Sequence, residues 1–323
     1  MNHFIRIACT AAWALAFAST AALAQDFPTR PVHLVVPFAP GGAPDVVART
    51  IGTRLAERLG QSVVVENKLG AGGNIAYEAV ARAPADGYTL VFATTGIATN
   101  MSLFKKLRYD TLRDFAPVTL VSSGPHVLVA NMAVPAKNIR ELIAYGKSQP
   151  KKLSYGSSGN GTILHLAGEL FTIRTGVELQ HVPYRGASLA QADLMGGTIN
   201  LIFSDVASAL PYITAGTVRP LAVTGSKRLS SLPDVPTIAE SGVPGYDLEA
   251  WFAILAPAGT PQAVVERLNR ELRAVLAMPE VKQRMAALAQ NIVGNSPQEF
   301  AIFLKNEVTK MGEIVKASGL SVD

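Results

Sequence analysis

Apolar and polar positions along this chain switch repeatedly between a strand period and a helix period. Residues 31–36 (Pro-Val-His-Leu-Val-Val) form a β-branched apolar run that stops at Pro37, which predicts a buried strand. A glycine- and proline-rich loop follows at 38–45, and Val47, Ile51, Leu55 and Leu59 then mark one face of a helix over 46–59. The plan recurs with a strand at 62–66, a glycine loop at 67–73, a helix at 74–82 and a strand at 88–93 ending in Thr94-Thr95-Gly96. Segments 115–122 and 126–130 read as extended crossing strands, and 139–148 as a helix. Residues 153–162 (Leu-Ser-Tyr-Gly-Ser-Ser-Gly-Asn-Gly-Thr) repeat the plan most clearly, as a short strand and a loop of small residues opening onto an amphipathic helix at 163–171.

Further strands are expected at 179–182, 200–204, 218–223 and 251–256, with helices at 187–195 and 206–215. Residues 231–246, crowded with Pro and Gly, read as irregular. Helices opened by proline are expected at 261–276, 279–289 and 297–317, returning to pack on the first domain. Strands alternating with helices predict βαβ units and an α/β fold with mostly parallel sheets flanked by helices. On such sheets ligands gather at the carboxyl ends of the strands, where the glycine loops fall.

The first 24 residues change how the rest is read. A single cation at Arg6, an apolar stretch over 7–19 and Ala22-Leu-Ala24 before Gln25 have the form of a secretory signal peptide, cleaved near Ala24. The one cysteine, Cys9, lies in this leader, so the mature chain is expected to form no disulfide and no thiolate metal site. Removing Arg6 lowers the net charge from +5 to +4. The remaining cations are scattered in short clusters without interleaved aromatics, so nucleic acid is not expected as a partner. No later segment is long and apolar enough for a membrane span. The mature length accommodates two domains.

Tests for catalytic motifs fail. The segment around Ser158 has Asn160 where a nucleophile elbow needs glycine, and Thr162-Ile163 stands where a phosphate-binding P-loop needs Lys-Ser/Thr. Gly70-Ala-Gly72 has Ile75 in place of the third glycine of a dinucleotide fingerprint. No histidine or carboxylate spacing suggests a metal, and no cofactor is expected. Glycine loops opening onto helices instead expose N–H groups at the positive end of the helix dipole, a natural seat for a carboxylate. Ser157, Ser158 and Thr162 add hydroxyls at the principal loop. Several candidates remain open between ligand contact and structure: His165 packing beneath the loop, Arg185 in a rim ion pair, and Asp45 and Asp205 capping their helices. His126 and His181 read as sheet structure.

At these residues the sequence resembles the Bug-type, or TctC-like, receptors of tripartite tricarboxylate transporters. The resemblance rests on Pro37-Phe-Ala-Pro-Gly-Gly-Ala-Pro-Asp45, Gly70-Ala-Gly-Gly-Asn-Ile75, Asp86-Gly-Tyr88 and Tyr155-Gly-Ser-Ser-Gly-Asn-Gly-Thr162 with His165. It extends through Val182-Pro-Tyr-Arg-Gly186, Leu221-Ala-Val-Thr-Gly225, Leu232-Pro-Asp-Val-Pro-Thr237 and Ala256-Pro-Ala-Gly-Thr-Pro261. The resemblance implies a type II-like periplasmic binding protein whose two α/β domains, joined by crossing strands, close like a flytrap. Domain 1 is expected over 25–122 plus 247–323 and domain 2 over 123–246.

The resemblance further implies a ligand carboxylate held by loops of both domains, often through ordered water. The expected contacts are Phe38, Ala39, Gly41, Gly42 and Asp45; Thr94 and Thr95; Ser157, Ser158, Gly159, Asn160, Gly161, Thr162 and His165; and Arg185 and Asp205. The expected partner is a small carboxylated solute (a di- or tricarboxylate, an amino acid or an aromatic acid), delivered by a monomeric periplasmic receptor to TctA/TctB-like membrane subunits. A ligand-presenting sensor, or an exported enzyme, are the alternatives. Thr94-Thr-Gly-Ile-Ala98 and Ala43-Pro44 depart from the usual family pattern, where they bear on which ligand fits.

Overall fold

The computed structural model describes residues 27–150, 152–184 and 186–322. The expected leader over 1–24 and Arg185 lie outside the described residues. In the first lobe, β1 (Val32–Val36) lies between β2 (Val63–Asn67) and β3 (Thr89–Thr94) in parallel pairings. Helix α1 (Ala43–Leu59) connects β1 to β2 and buries Val47, Ile51, Leu55 and Leu59, the stripe read from the sequence. α2 (Asn74–Ala81) leads into β3, which runs directly into α3 (Gly96–Leu103).

Two antiparallel strands join the lobes. β4 (Phe115–Asn131) is one continuous strand across both segments expected from the sequence, and β9 (Glu249–Pro257) runs beside it. Along β4, residues from Phe115 to Pro125 pair with β9, which itself pairs with β3. From His126 to Asn131 the same strand pairs with β7 (Leu201–Asp205) and β8 (Val218–Val223). The second lobe mirrors the first, with β5 (Leu153–Ser157) lying parallel between β6 (Leu179–Pro183) and β7. Its helices are α4 (Ile139–Ser148), α5 (Ile163–Thr175), α6 (Ala187–Gly196) and α7 (Val206–Thr214).

The chain then returns to the first lobe through α8 (Gln262–Leu276), α9 (Pro279–Ala287), the short β10 (Asn291–Ile292) against β4, and α10 (Pro297–Ser318). Leu268, Leu272 and Val275 of α8 pack with α1 and the sheet as expected, each side chain contributing about 1.5–3 kcal/mol by burial. The last helix departs from expectation, because α10 packs on α3 of the first lobe and also on α5 of the second. The largest apolar core is accordingly continuous, running from Val91 through Leu128 and Phe171 to Phe300. Among the described residues no helix is long and apolar enough to cross a membrane.

Candidate functional site

The topology brings the carboxyl ends of β1, β3, β5 and β7 to one cleft of about 670 Å³. Phe38, Pro44, Thr94, Thr95 and Asn100 line it from the first lobe, and Ser158, Asn160, Gly161, Thr162 and Asp205 from the second. His126 of β4 and Trp251 and Phe252 of β9 line it from the crossing strands. No lysine or arginine is among the described lining residues.

Positive potential comes instead from backbone. α1, α3 and α5 all begin at the cleft, and none has a capping bond from the side chain of its N-cap residue, although the Gly96 N–H of α3 donates to Thr94 Oγ1 at 3.3 Å. Among the described helices side-chain caps occur at α4 and α10, which begin elsewhere. First-turn N–H groups find no acceptor within their own helix, so those of Ile163 and Leu164, both lining residues, suit an anion. The Thr162 hydroxyl is engaged by the Gly159 carbonyl at 2.8 Å, whereas the side chains of Ser158 and Asn160 make no hydrogen bond among the described residues. Gly161 adopts φ +73°, and a Cβ there would lie 2.1 Å from Leu103 Cδ2 of the opposite lobe. Only glycine permits that approach of the two lobes.

Beneath this loop lies a buried polar network. The Gly161 N–H donates to His165 Nδ1 at 3.0 Å, and the His165 ring stacks on that of His181 at 3.7 Å. Ser157 Oγ lies 2.6 Å from His181 Nε2 and accepts from the Gly159 N–H at 3.1 Å. The Tyr155 hydroxyl donates to Glu169 Oε1 at 2.8 Å, with His165 Nε2 3.6 Å from the same oxygen. Burial, and secondarily the neighbouring His165, hold His181 down at about 4. Burial raises the Glu169 carboxyl, but its bonds from His165 and Tyr155 outweigh this and keep it below the usual range.

Several expected contacts therefore fall outside the cleft lining. Ser157 and His165 are buried in the network that shapes the loop, because their polar atoms are already engaged there. Gly159 supplies loop bonds, and Ala39, Gly41 and Gly42 are exposed but do not line the cleft. Asp45 is buried, with its carboxylate filled by the Gly41 N–H at 2.9 Å, Arg49 Nε at 3.0 Å and Asn67 Nδ2 at 2.8 Å. Burial raises this carboxyl, and those donors together bring it below its usual range. Asp45 thus staples the first glycine loop to the sheet. Replacing it with alanine is expected to cost about 1.5–2 kcal/mol by stranding the Gly41 and Asn67 donors. Urea unfolding reads this, and a midpoint equal to that of the parent would refute the staple.

Asp205 is the opposite case. It stands at the N-cap of α7 yet makes no side-chain capping bond, and its carboxylate is half exposed. Its partner is His126 Nε2 at 3.4 Å. The surrounding cleft walls desolvate the Asp205 carboxyl and raise it, and the neighbouring His126 outweighs that and holds it below its usual range. Sequence reasoning missed His126, Asn100, Trp251 and Phe252 as lining residues. Only His126, a lone polar residue opening the run Val127–Ala130, left a readable signal. Among the described residues no group of three or more His, Cys, Asp or Glu side chains is placed to hold a metal ion.

Strand ends meeting helix N-termini across a gap between two lobes is the arrangement of a two-lobed binding protein of the periplasmic type, and this fold is of that class. The family model for the tripartite tricarboxylate transporter family receptor, TctC, matches residues 47–320. A protein from the tcbD–tcbE intergenic region of Pseudomonas sp. (strain P51) is 40% identical over 96% of this chain and 93% of its own. Rpa4515 of R. palustris, solved with adipate, superimposes with a TM-score of 0.81 at 39% identity, over 92% of this chain and 100% of that one. MatC of Rhodopseudomonas palustris, solved with malate, gives a TM-score of 0.78 at 33% identity, over 90% and 100%. The chain belongs to the TctC, or Bug-type, receptor family of solute-binding proteins.

Proposed function

We propose that this chain is a periplasmic, non-catalytic receptor that captures a small carboxylate between its lobes and delivers it to TctA/TctB-like membrane subunits. The observation that carries this reading is the set of N-termini of α1, α3 and α5 facing one cleft without a capping bond from their N-cap side chains. Neutral N–H and hydroxyl donors hold a carboxylate well once lobe closure excludes water. The loop at 157–162, with Ser158 and Asn160 free to donate, acts as one jaw, and the region from Phe38 to Thr95 as the other. The domains are read as 25–122 plus 247–323 and 123–246, and the change of partner along β4 between Pro125 and His126, three residues past the proposed boundary, supports a division in this region. The adipate and malate of the Rpa4515 and MatC structures make dicarboxylates natural first probes. Export by the leader and function as a monomer complete the reading.

A chain cleaved at Gln25 retains Trp251 as its single indole, so its fluorescence reports on the cleft. Titration with mono-, di- and tricarboxylates, amino acids and aromatic acids is expected to perturb that emission for at least one class. The same ligand should raise stability by about 2.7 kcal/mol at a hundredfold excess over Kd. Ser158→Ala is expected to weaken binding about fivefold with an unchanged melting temperature, because it removes one neutral hydrogen bond to the ligand and no hydrogen bond within the described residues. If no acid shifts the melt or the emission, the carboxylate reading fails. If Ser158→Ala leaves affinity unchanged, the second jaw is misplaced.

A further inference from the structure

We propose that Asp205 forms a donor-accepting subsite in the cleft, so that this receptor selects an acid carrying an ammonium or hydroxyl group over a dicarboxylate. The proposal rests on the carboxylate reading above and narrows it. Asp205 is an ionisable side chain on the cleft wall, its carboxylate half exposed and unused by the helix it begins. Asp45, at the start of α1, has its oxygens filled by protein donors, whereas Asp205 has only His126 at 3.4 Å.

His126 is a second, independent observation. Its ring is nine-tenths or more buried, lines the same cleft, and has Nδ1 without a hydrogen-bond partner. With Nε2 turned to Asp205, the ring positions that carboxylate, while Nδ1 is buried away from the ligand. Among the side chains at this end of the cleft, Asp205 is the charged acceptor. β5 and β7 are hydrogen-bonded neighbours in the register Tyr155↔Leu201 and Gly156↔Ile202, so the Ser158 loop and Asp205 leave adjacent strand ends, about 5 Å apart laterally. A ligand whose carboxylate sits at the start of α5 places its next polar group beside an anion. An ammonium or hydroxyl gains a charge-assisted bond there, and a second carboxylate meets repulsion.

Calorimetric titration of the purified protein tests this with pairs matched in carbon number: malonate, succinate and adipate against 3-aminopropanoate, 4-aminobutanoate and 6-aminohexanoate. The expected result is at least one amino acid bound about tenfold or more tighter than its dicarboxylate. Asp205→Asn should weaken that amino acid about tenfold to a hundredfold and improve the dicarboxylate, reversing the order. If dicarboxylates bind the parent at least as tightly and Asp205→Asn leaves the order unchanged, the donor subsite is overturned while the carboxylate clamp stands. If neither class binds the parent, the clamp falls and the subsite with it.

Discussion

Replacing Trp251 with alanine is expected to lower the unfolding free energy by about 3–5 kcal/mol. The indole is 1% exposed and meets Phe300 and Phe303 edge-on, with ring centroids 6.5 Å and 5.7 Å away. Its Nε1–H donates to Glu307 Oε2 at 2.8 Å, and Glu307 is itself buried. Truncation therefore opens a cavity and also strips a donor from a buried carboxylate, two costs that add. Trp251→Phe separates them, keeping most of the packing and losing the donor, with an expected cost of about 1–3 kcal/mol. Because Phe300 and Glu307 lie on α10, which packs on both lobes, the damage should reach the cleft and weaken ligand binding too. Urea unfolding followed by far-UV circular dichroism measures the first effect. An alanine variant within about 1 kcal/mol of the parent would mean that the ring is not a keystone of the interlobe core.

The strand–loop–helix plan was legible because its two periods and its glycine and proline punctuation coincide. Val47, Ile51, Leu55 and Leu59 are apolar at helical spacing, and all four are buried. α3 was not legible, because Thr99 and Asn100 are polar yet buried on it, leaving no amphipathic stripe to read. The gap expected between the strands at 115–122 and 126–130 contains Pro125. That proline instead falls where β4 changes partners from β9 to β7, and Pro117 adjoins an irregularity in the β4–β9 register, so both missing N–H groups sit where the ladder is already interrupted.

The site was partly legible for a related reason. Backbone donors at glycine loops announce themselves through composition, so the cleft's two jaws could be named in advance. Side-chain roles depend on where distant residues arrive. Asp45 and Asp205 look alike in sequence, each at the start of a helix after a strand. The fold brings Asn67 from β2 and Arg49 from the next turn to Asp45, and His126 from the crossing strand to Asp205. One carboxylate is thereby consumed by structure and the other left facing the cleft. His165 resolves the same way, since its Nδ1 is taken by the Gly161 N–H.

That buried network also sets how the protein should respond to acid. His181 titrates near 4 in the folded state, against 6.5 ordinarily, because burial and the stacked His165 both disfavour its charged form, Glu169 opposing them. A folded-state value below the unfolded one means the unfolded chain takes up the proton first. Stability from this group is therefore complete above pH 6.5 and is lost as pH falls from 6.5 toward 4. The full loss amounts to at most about 3.5 kcal/mol at ~1.4 kcal/mol per pH unit. Glu169, held below the usual carboxylate range, removes further stability as it protonates at lower pH, so its effect follows that of His181 on the acid side. Urea unfolding at a series of pH values should show the decline, and His181→Asn should flatten it between 6.5 and 4 while retaining the part owed to Glu169. The asparagine amide falls short of the Nε2 position and loses the Ser157 bond at every pH, a constant offset that leaves the pH slope as the test of the proton. Equal pH slopes in parent and variant over that window would show that His181 is protonated as readily folded as unfolded.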